Sequence, residues 1–185
     1  HFISNHATTK TITSNTIHFS CAVYFEGTMG GWQLADAFYC DLDVNHTGGL
    51  LETMGQTMTI GSTFSGNYSS IQNGILHLGS SEMIISGSAL FKYAPAQFDA
   101  GTSHIKMMNA NTFLEGPLNM STVIHFYNVT FFSDYDSGGF AWANVDGTLT
   151  FHGRGRIHGY SLGNIPVLNN VIFYQNAHIY NAFKY

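Results

Sequence analysis

Four oxygen-bearing side chains stand at the spacing of a calcium-binding loop. They are Asp41, Asp43, Asn45 and Glu52, and Glu52 holds the twelfth position counted from Asp41. Carboxylate and amide oxygens at these positions are the ligands that Ca²⁺ takes in such loops. His46 replaces the usual glycine at the sixth position. The alternative is therefore a strand that runs into a turn and carries its acids in solvent.

A second acidic turn lies in residues 133–139, where Asp134 and Asp136 stand beside two glycines. Two carboxylates at a glycine-rich bend, together with backbone carbonyls, are suited to one Ca²⁺ ion. The alternative is a solvated loop. Calcium is the one cofactor that the sequence suggests.

Motifs of catalysis are absent from the chain. It contains no G-x-S-x-G nucleophile elbow, no phosphate-binding loop and no H-E-x-x-H zinc motif. Ten histidines are scattered without the close spacing that a zinc site requires. The sequence predicts a protein that is not an enzyme.

Two Asn-x-Ser sequons fall in segments that resemble turns. Asn67 precedes Tyr68 and Ser69, and Asn119 precedes Met120 and Ser121. Surface turns are where such asparagines accept glycans in secreted proteins. Asn67 and Asn119 are predicted glycosylation sites.

The composition narrows the class of partner and the compartment. Only 9% of the 185 residues are charged and the net charge is −5, which gives no basic surface for nucleic acid. The chain contains no run of 18 apolar residues, so the sequence does not predict a segment that inserts into a membrane. Gly, Ser, Thr and Asn supply an uncharged polar surface, which is typical of an extracellular or cell-surface protein. The chain starts at His1, as expected of a processed chain or an excised piece.

The elements that must position these residues are short strands. No window shows apolar residues at helical spacing over three turns, and small polar residues interrupt the chain every few positions. The fold is therefore predicted to be all-β. Small-residue pairs that open a strand recur at Gly61, Gly79, Gly101 and Gly147, in steps of 18, 22 and 46 residues.

A longer echo supports a period of about 21 residues. Asn128-Val129-x-Phe131 returns as Asn170-Val171-x-Phe173, 42 residues later. Short strands at such a period predict a right-handed parallel β-helix, or β-solenoid, of about eight to nine coils. Residues 1–185 are expected to form this one domain. A β-sandwich is the alternative, because its closely spaced turns produce similar punctuation in a sequence.

Coils of this length bring distant residues together. Cys21 and Cys40 are 19 residues apart, so on adjacent coils their Cα atoms are expected at about 4.8 Å, within disulfide range. A disulfide is predicted, with two buried free thiols as the alternative. His18, His77 and His125 each stand between apolar residues, and the hypothesis is that they stack as an imidazole ladder.

Five segments resemble the repetitive β-helical regions of very large secreted surface proteins, of the gliding and adhesin types found in Bacteroidota. They are residues 28–41, 48–66, 75–91, 98–116 and 125–131. The resemblance runs from about Thr11 to Phe132, with a weaker echo from Gly147. It implies a structural or adhesive role without shared catalytic residues. This chain has many His and Met residues where that family has Thr, Asn or Val.

The predicted function is a non-enzymatic structural or adhesive β-solenoid in a secreted or cell-surface fibre or large surface protein. The open ends of a solenoid are expected to pair end to end with another copy, or with adjoining domains of a longer chain. Glycans are a further candidate partner. The alternative is a carbohydrate-binding or polysaccharide-degrading module on the same scaffold, which is expected to gather three or more carboxylates and an arginine in one groove.

Overall fold

The computed structural model describes residues 1–67, 73–110, 112–117, 123–133, 139–158, 167–174 and 179–181. In these ranges the chain forms short strands and one 3₁₀ helix, Pro95–Gln97. The strands are β1 (Phe2–Ile12), β2 (His18–Phe19), β3 (Val23–Leu34), β4 (Phe38–Cys40), β5 (Val44–His46), β6 (Leu50–Glu52), β7 (Met58–Ile60), β8 (Phe64–Gly66), β9 (Ile75–His77), β10 (Glu82–Ile85), β11 (Ala89–Phe91), β12 (Phe98–Asp99), β13 (His104–Met107), β14 (Phe113–Glu115), β15 (Ile124–Phe126), β16 (Asn128–Phe131), β17 (Gly139–Ala141), β18 (Ala143–Phe151), β19 (Gly155–His158), β20 (Leu168–Phe173) and β21 (Ile179–Asn181).

All strand pairs of the described residues are parallel, and each joins one coil to the next. A β-sandwich is built from antiparallel sheets, so that alternative is wrong. The predicted parallel β-solenoid is confirmed. None of the described residues forms a helix long and apolar enough to cross a membrane.

The strands stack in three columns, which we call faces 1, 2 and 3. Face 1 holds the first part of β3, then β5, β8, β11, β14, β17, β19 and β21. Face 2 holds the second part of β3, then β6, β9 and β12, and after a break β15 and the first part of β18. Face 3 holds β2, β4, β7, β10, β13, β16, the last part of β18, and β20. Eight strands on face 3 make about seven turns, close to the eight or nine predicted.

The core lies inside these faces because the strands alternate. In β7 and β10, Met58, Ile60, Met83 and Ile85 are fully buried, and the residues between them are partly exposed. Parallel pairing then places each inward side chain over the same position of the next coil. Burial of these apolar columns is the main stabilising contribution to the fold.

The Asn-Val-x-Phe echo marks positions two coils apart. Phe131 pairs in register with Phe151, and Phe151 pairs with Phe173. The three rings form a stack, with centroids 5.1 and 5.5 Å apart and planes within 6° of parallel. The interpretation of the echo as two coils was therefore correct.

The interpretation of the four glycines as one repeated position is only partly correct. Thr102 N–H donates to the Gly79 carbonyl at 2.7 Å, and Gly147 N–H donates to the Tyr127 carbonyl at 2.8 Å, so Gly79, Gly101 and Gly147 share the corner between faces 2 and 3. Gly61 instead follows β7, at the corner between faces 3 and 1, where its N–H donates to the Cys40 carbonyl. The step from Gly61 to Gly79 therefore joins two different corners. The steps from Gly79 to Gly101 and from Gly101 to Gly147 join the same corner, one and two coils apart.

Candidate functional site

A groove interrupts face 2 between β12 and β15. In the described residues β12 pairs only with β9 and β15 pairs only with β18, so each strand ends its sheet. An unpaired strand edge presents backbone N–H and C=O groups to whatever approaches it. The space between the two edges is a groove of about 180 Å³.

The groove follows from a change in corner length. Residues 100–103 separate β12 from β13, whereas Tyr127 alone separates β15 from β16. Strand β18 runs through the next corner without a break and pairs with both β15 and β16. Face 2 therefore shares a sheet with face 1 before the groove and with face 3 after it. The two halves do not join in register, and the groove is the result.

A hydrogen-bonded chain of side chains forms one wall of the groove. Val167 N–H donates to Asn144 Oδ1 at 2.8 Å, which turns the Asn144 amide nitrogen toward His125 Nε2 at 3.2 Å. Because Nε2 faces a donor, it acts as the acceptor, and the imidazole proton lies on Nδ1. His125 Nδ1 donates to Asp146 Oδ1 at 2.8 Å. The imidazole is thereby held in one orientation.

The opposite wall and the floor differ in chemistry. Asp99 lies across the groove, and its Oδ1 accepts from Gly101 N–H at 2.8 Å. The floor contains Phe98 and Phe126, whose ring centroids are 5.4 Å apart, and Tyr127 at the edge is 38% exposed. No lysine or arginine is among the described residues that line the groove. The site is acidic with an aromatic floor, which suits binding of a neutral or cationic ligand.

A buried polar centre lies deeper in the solenoid, on face 1. His46 is fully buried, with Nε2 donating to the Gly49 carbonyl at 3.0 Å and Nδ1 accepting from Tyr93 Oη at 2.7 Å. Burial lowers the pKa of His46 to about 4, although the carbonyls of Gly49 and Gly48 oppose the shift. Burial also raises the pKa of Tyr93. Both groups are therefore neutral, and their role is structural.

Two further features hold this centre. The Tyr93 ring lies across Gly66, where an added Cβ would meet the ring at 2.2 Å. Asn67 is fully buried and bonds Gly74 twice, through Oδ1 to the N–H and through Nδ2 to the carbonyl, both at 3.0 Å. A glycan on Asn67 is incompatible with this packing, so the predicted glycosylation at Asn67 is wrong for the folded chain. Asn119 lies outside the described residues.

The residues of the predicted calcium loop do not converge. Asp41 and Asp43 follow β4 at the corner between faces 3 and 1, Asn45 belongs to face 1, and Glu52 belongs to face 2. Asp43 Oδ1 instead accepts from Thr63 N–H at 2.9 Å. Among the residues that the structure describes, no three His, Cys, Asp or Glu side chains gather as a metal would need. Asp134 and Asp136 lie outside the described residues.

The cysteines are close but not bonded. Both are free; Cys21 is exposed and Cys40 is buried. The register places Cys40 over Phe19 rather than over Cys21, because this coil is slightly longer than the spacing of the cysteines. Cys40 Sγ lies 3.4 Å from the Cys21 carbonyl, and burial raises the pKa of its thiol. The predicted disulfide is therefore not formed in this structure.

The proposed imidazole ladder is wrong, because His18 lies on face 3 while His77 and His125 lie on face 2. These histidines instead pair with carboxylates of adjacent coils, as His1 does with Glu26. The nitrogen-to-oxygen distances are 3.0 Å for His1–Glu26, 3.1 Å for His18–Asp41, 3.5 Å for His77–Glu52 and 2.8 Å for His125–Asp146. The first, second and fourth pairs also meet hydrogen-bond geometry.

The sequence did not predict the groove or the buried centre. The burial of His46 could have been predicted from strand alternation, because His46 is two residues after the buried Val44 in β5 and its side chain therefore points to the same inner side. No comparable signal marks the groove, because it depends on the lengths of two corners.

The fold and this groove define the described part of the chain as a parallel β-solenoid with an acidic, aromatic-floored groove between two of its coils. Comparison with protein-family models, with curated proteins and with solved structures finds no match.

Proposed function

We propose that this chain is a non-enzymatic structural and adhesive β-solenoid of a secreted or cell-surface fibre. The observation that carries the proposal is the open edge at one end of the solenoid. In the described chain β1 pairs only with β3, and β2 pairs only with β4, so both sheets end there together. Such edges are templates for pairing with another strand.

Side chains at this end favour coverage by another chain segment. Phe2 and Phe19 pack edge to face at 6.0 Å over the end of the core, and both are only partly buried. Ile3 is 56% exposed on β1. A second copy, or an adjoining segment of a longer polypeptide, would bury these apolar groups and extend the backbone ladder. The surface of uncharged polar residues supports the extracellular location.

Assembly can be tested on the purified chain. Light scattering and negative-stain electron microscopy over a range of concentrations are expected to show rods longer than one chain, which at about 4.8 Å a coil is about 34 Å for seven turns. Ile3→Lys places a charge on the open edge and should suppress these rods. Leu42→Lys is the matched control, because Leu42 is 47% exposed at the corner between β4 and β5, one coil in from the open edge and not on it. A monomer at every concentration would contradict self-assembly.

A carbohydrate-binding role is the second candidate, and the groove favours it. A polysaccharide-degrading enzyme on this scaffold is expected to gather three or more carboxylates and an arginine in one groove. The described lining contains the two carboxylates of Asp99 and Asp146 and no arginine. We therefore propose binding without catalysis.

A further inference from the structure

We propose that the groove between β12 and β15 binds one neutral sugar residue through its hydroxyl groups. This inference rests on the proposed adhesive function and gives it a ligand class. It follows from the acceptors in the walls, the aromatic floor and the size of the space.

The walls offer acceptors that seek hydroxyl donors. Asp146 uses Oδ1 for His125, and Asp99 uses Oδ1 for Gly101. Neither Oδ2 accepts a hydrogen bond from the described residues. Carboxylates accept only, and charge-assisted bonds from hydroxyl groups to them are short and strong. An anionic sugar is disfavoured, because the described lining contains no lysine or arginine to balance its charge.

The positions of these acceptors are fixed before a ligand arrives. The chain from Val167 N–H through Asn144 and His125 holds the Asp146 carboxylate in place. Asp99 is held by the turn that it closes with Gly101. A site whose polar groups are already oriented loses less conformational entropy on binding. Asp146 and Asp99 are therefore binding residues, and Asn144 and His125 are positioning residues.

The size and the floor select a single ring. The strand edges that bound the groove are short, because β12 has two residues and β15 has three, which is about 10 Å at about 3.3 Å per residue and matches one sugar ring better than an extended peptide strand. Tyr127 at the edge, 38% exposed, presents apolar surface to the C–H face of a sugar, and the buried rings of Phe98 and Phe126 close the bottom of the groove. The open strand edges supply further backbone donors and acceptors.

The test uses the whole chain and the methyl glycosides of glucose, galactose and mannose. Saturation-transfer NMR and titration of the Tyr127 and His125 signals are expected to show binding by at least one of them, with a Kd of about a millimolar. Glucuronate should not bind, because it is anionic. The proposal is overturned by binding of glucosamine or of a short peptide alone, or by no binding of any neutral glycoside at concentrations well above a millimolar.

Variants locate the site. Asp146→Asn and Asp99→Asn should each weaken binding by about tenfold or more, because each removes a charged acceptor. Asp41→Asn is the matched control: it changes the similar His18–Asp41 pair at 3.1 Å outside the groove, and should leave the Kd unchanged. Circular dichroism verifies folding. Equal loss in Asp41→Asn, or none in both groove variants, overturns the assignment. Rod formation by the groove variants separates a failure of this site from a failure of the proposed fibre.

Discussion

Protonation of the buried His46 should make the solenoid sensitive to acid. Its pKa is about 4 in the folded chain, compared with 6.5 for an exposed imidazole, because burial penalises the charged ring. Below pH 6.5 the unfolded chain takes up a proton that the folded chain does not. The stability contribution is therefore fully present above that pH and is lost as the pH falls to about 4. Integrated over this interval, the free energy of unfolding falls by about 3 kcal/mol.

Urea denaturation of the wild type and of His46→Gln, at about pH 7.5 and about pH 4, measures this contribution. Gln is neutral throughout, so the loss of stability on acidification should be about 3 kcal/mol smaller in the variant. Comparing the two pH values within each protein removes the cost of the substitution itself. Burial also lowers the pKa of His104, which adds pH dependence to both proteins alike. His6→Gln, at an exposed position, should follow the wild type.

Parallel stability curves for wild type and His46→Gln would refute the reasoning. A direct readout is available if the variant folds poorly. In the wild type, ¹⁵N NMR should show His46 neutral at about pH 5.5, with its proton on Nε2, because Nε2 faces the Gly49 carbonyl and Nδ1 faces the Tyr93 hydroxyl. A charged His46 ring at that pH would contradict the assignment.

Three further changes test the packing. Gly66→Ala should cost about 2 kcal/mol in urea denaturation, because its Cβ would meet the Tyr93 ring at 2.2 Å, whereas Ser65→Ala on the outer side of β8 should be nearly neutral. Lys92→Met should lower the free energy of unfolding by about 2 to 3 kcal/mol, because it leaves the Glu115 carboxylate, 19% exposed and 2.9 Å from Lys92 Nζ, without its cation. Adding Glu115→Gln should recover part of this stability, and no recovery would argue against the ion pair. In a thiol titration with Ellman's reagent, Cys21 should react in the native chain and Cys40 only after unfolding, and equal native reactivity would show that Cys40 is accessible.

The architecture was predictable where the side chains repeat. Alternating apolar residues and the Asn-Val-x-Phe echo depend on the same stacked positions that form the Phe131–Phe151–Phe173 column. A stack demands similar side chains at equivalent positions, so the repeat appears in the sequence. For this reason the all-β class, the parallel solenoid and the approximate coil length follow from the sequence alone.

The partners of single residues were not predictable in the same way. Coils differ in length, since the step from Leu114 to its partner Phe140 is much longer than the step from Phe140 to Ile157. An average period therefore misplaces residues on the longer and shorter coils by several positions. The disulfide prediction failed for a simpler reason, because Cys40 lies one full coil after Phe19 and the spacing of the two cysteines is shorter than that coil. The predicted calcium ligands are separated for a related reason, because corners between Asp41 and Glu52 send their side chains to different faces.

What the sequence by itself determined is the repeating part of the molecule, the short alternating strands and the approximate coil length. What only the tertiary structure decided is where the repeat fails. The buried His46–Tyr93 pair joins residues 47 positions apart, and the groove exists because one corner has four residues and the next has one. Strand propensity and apolar alternation are local properties of the chain, whereas register accumulates over every corner that precedes it. The polar centre and the groove depend on that accumulated register.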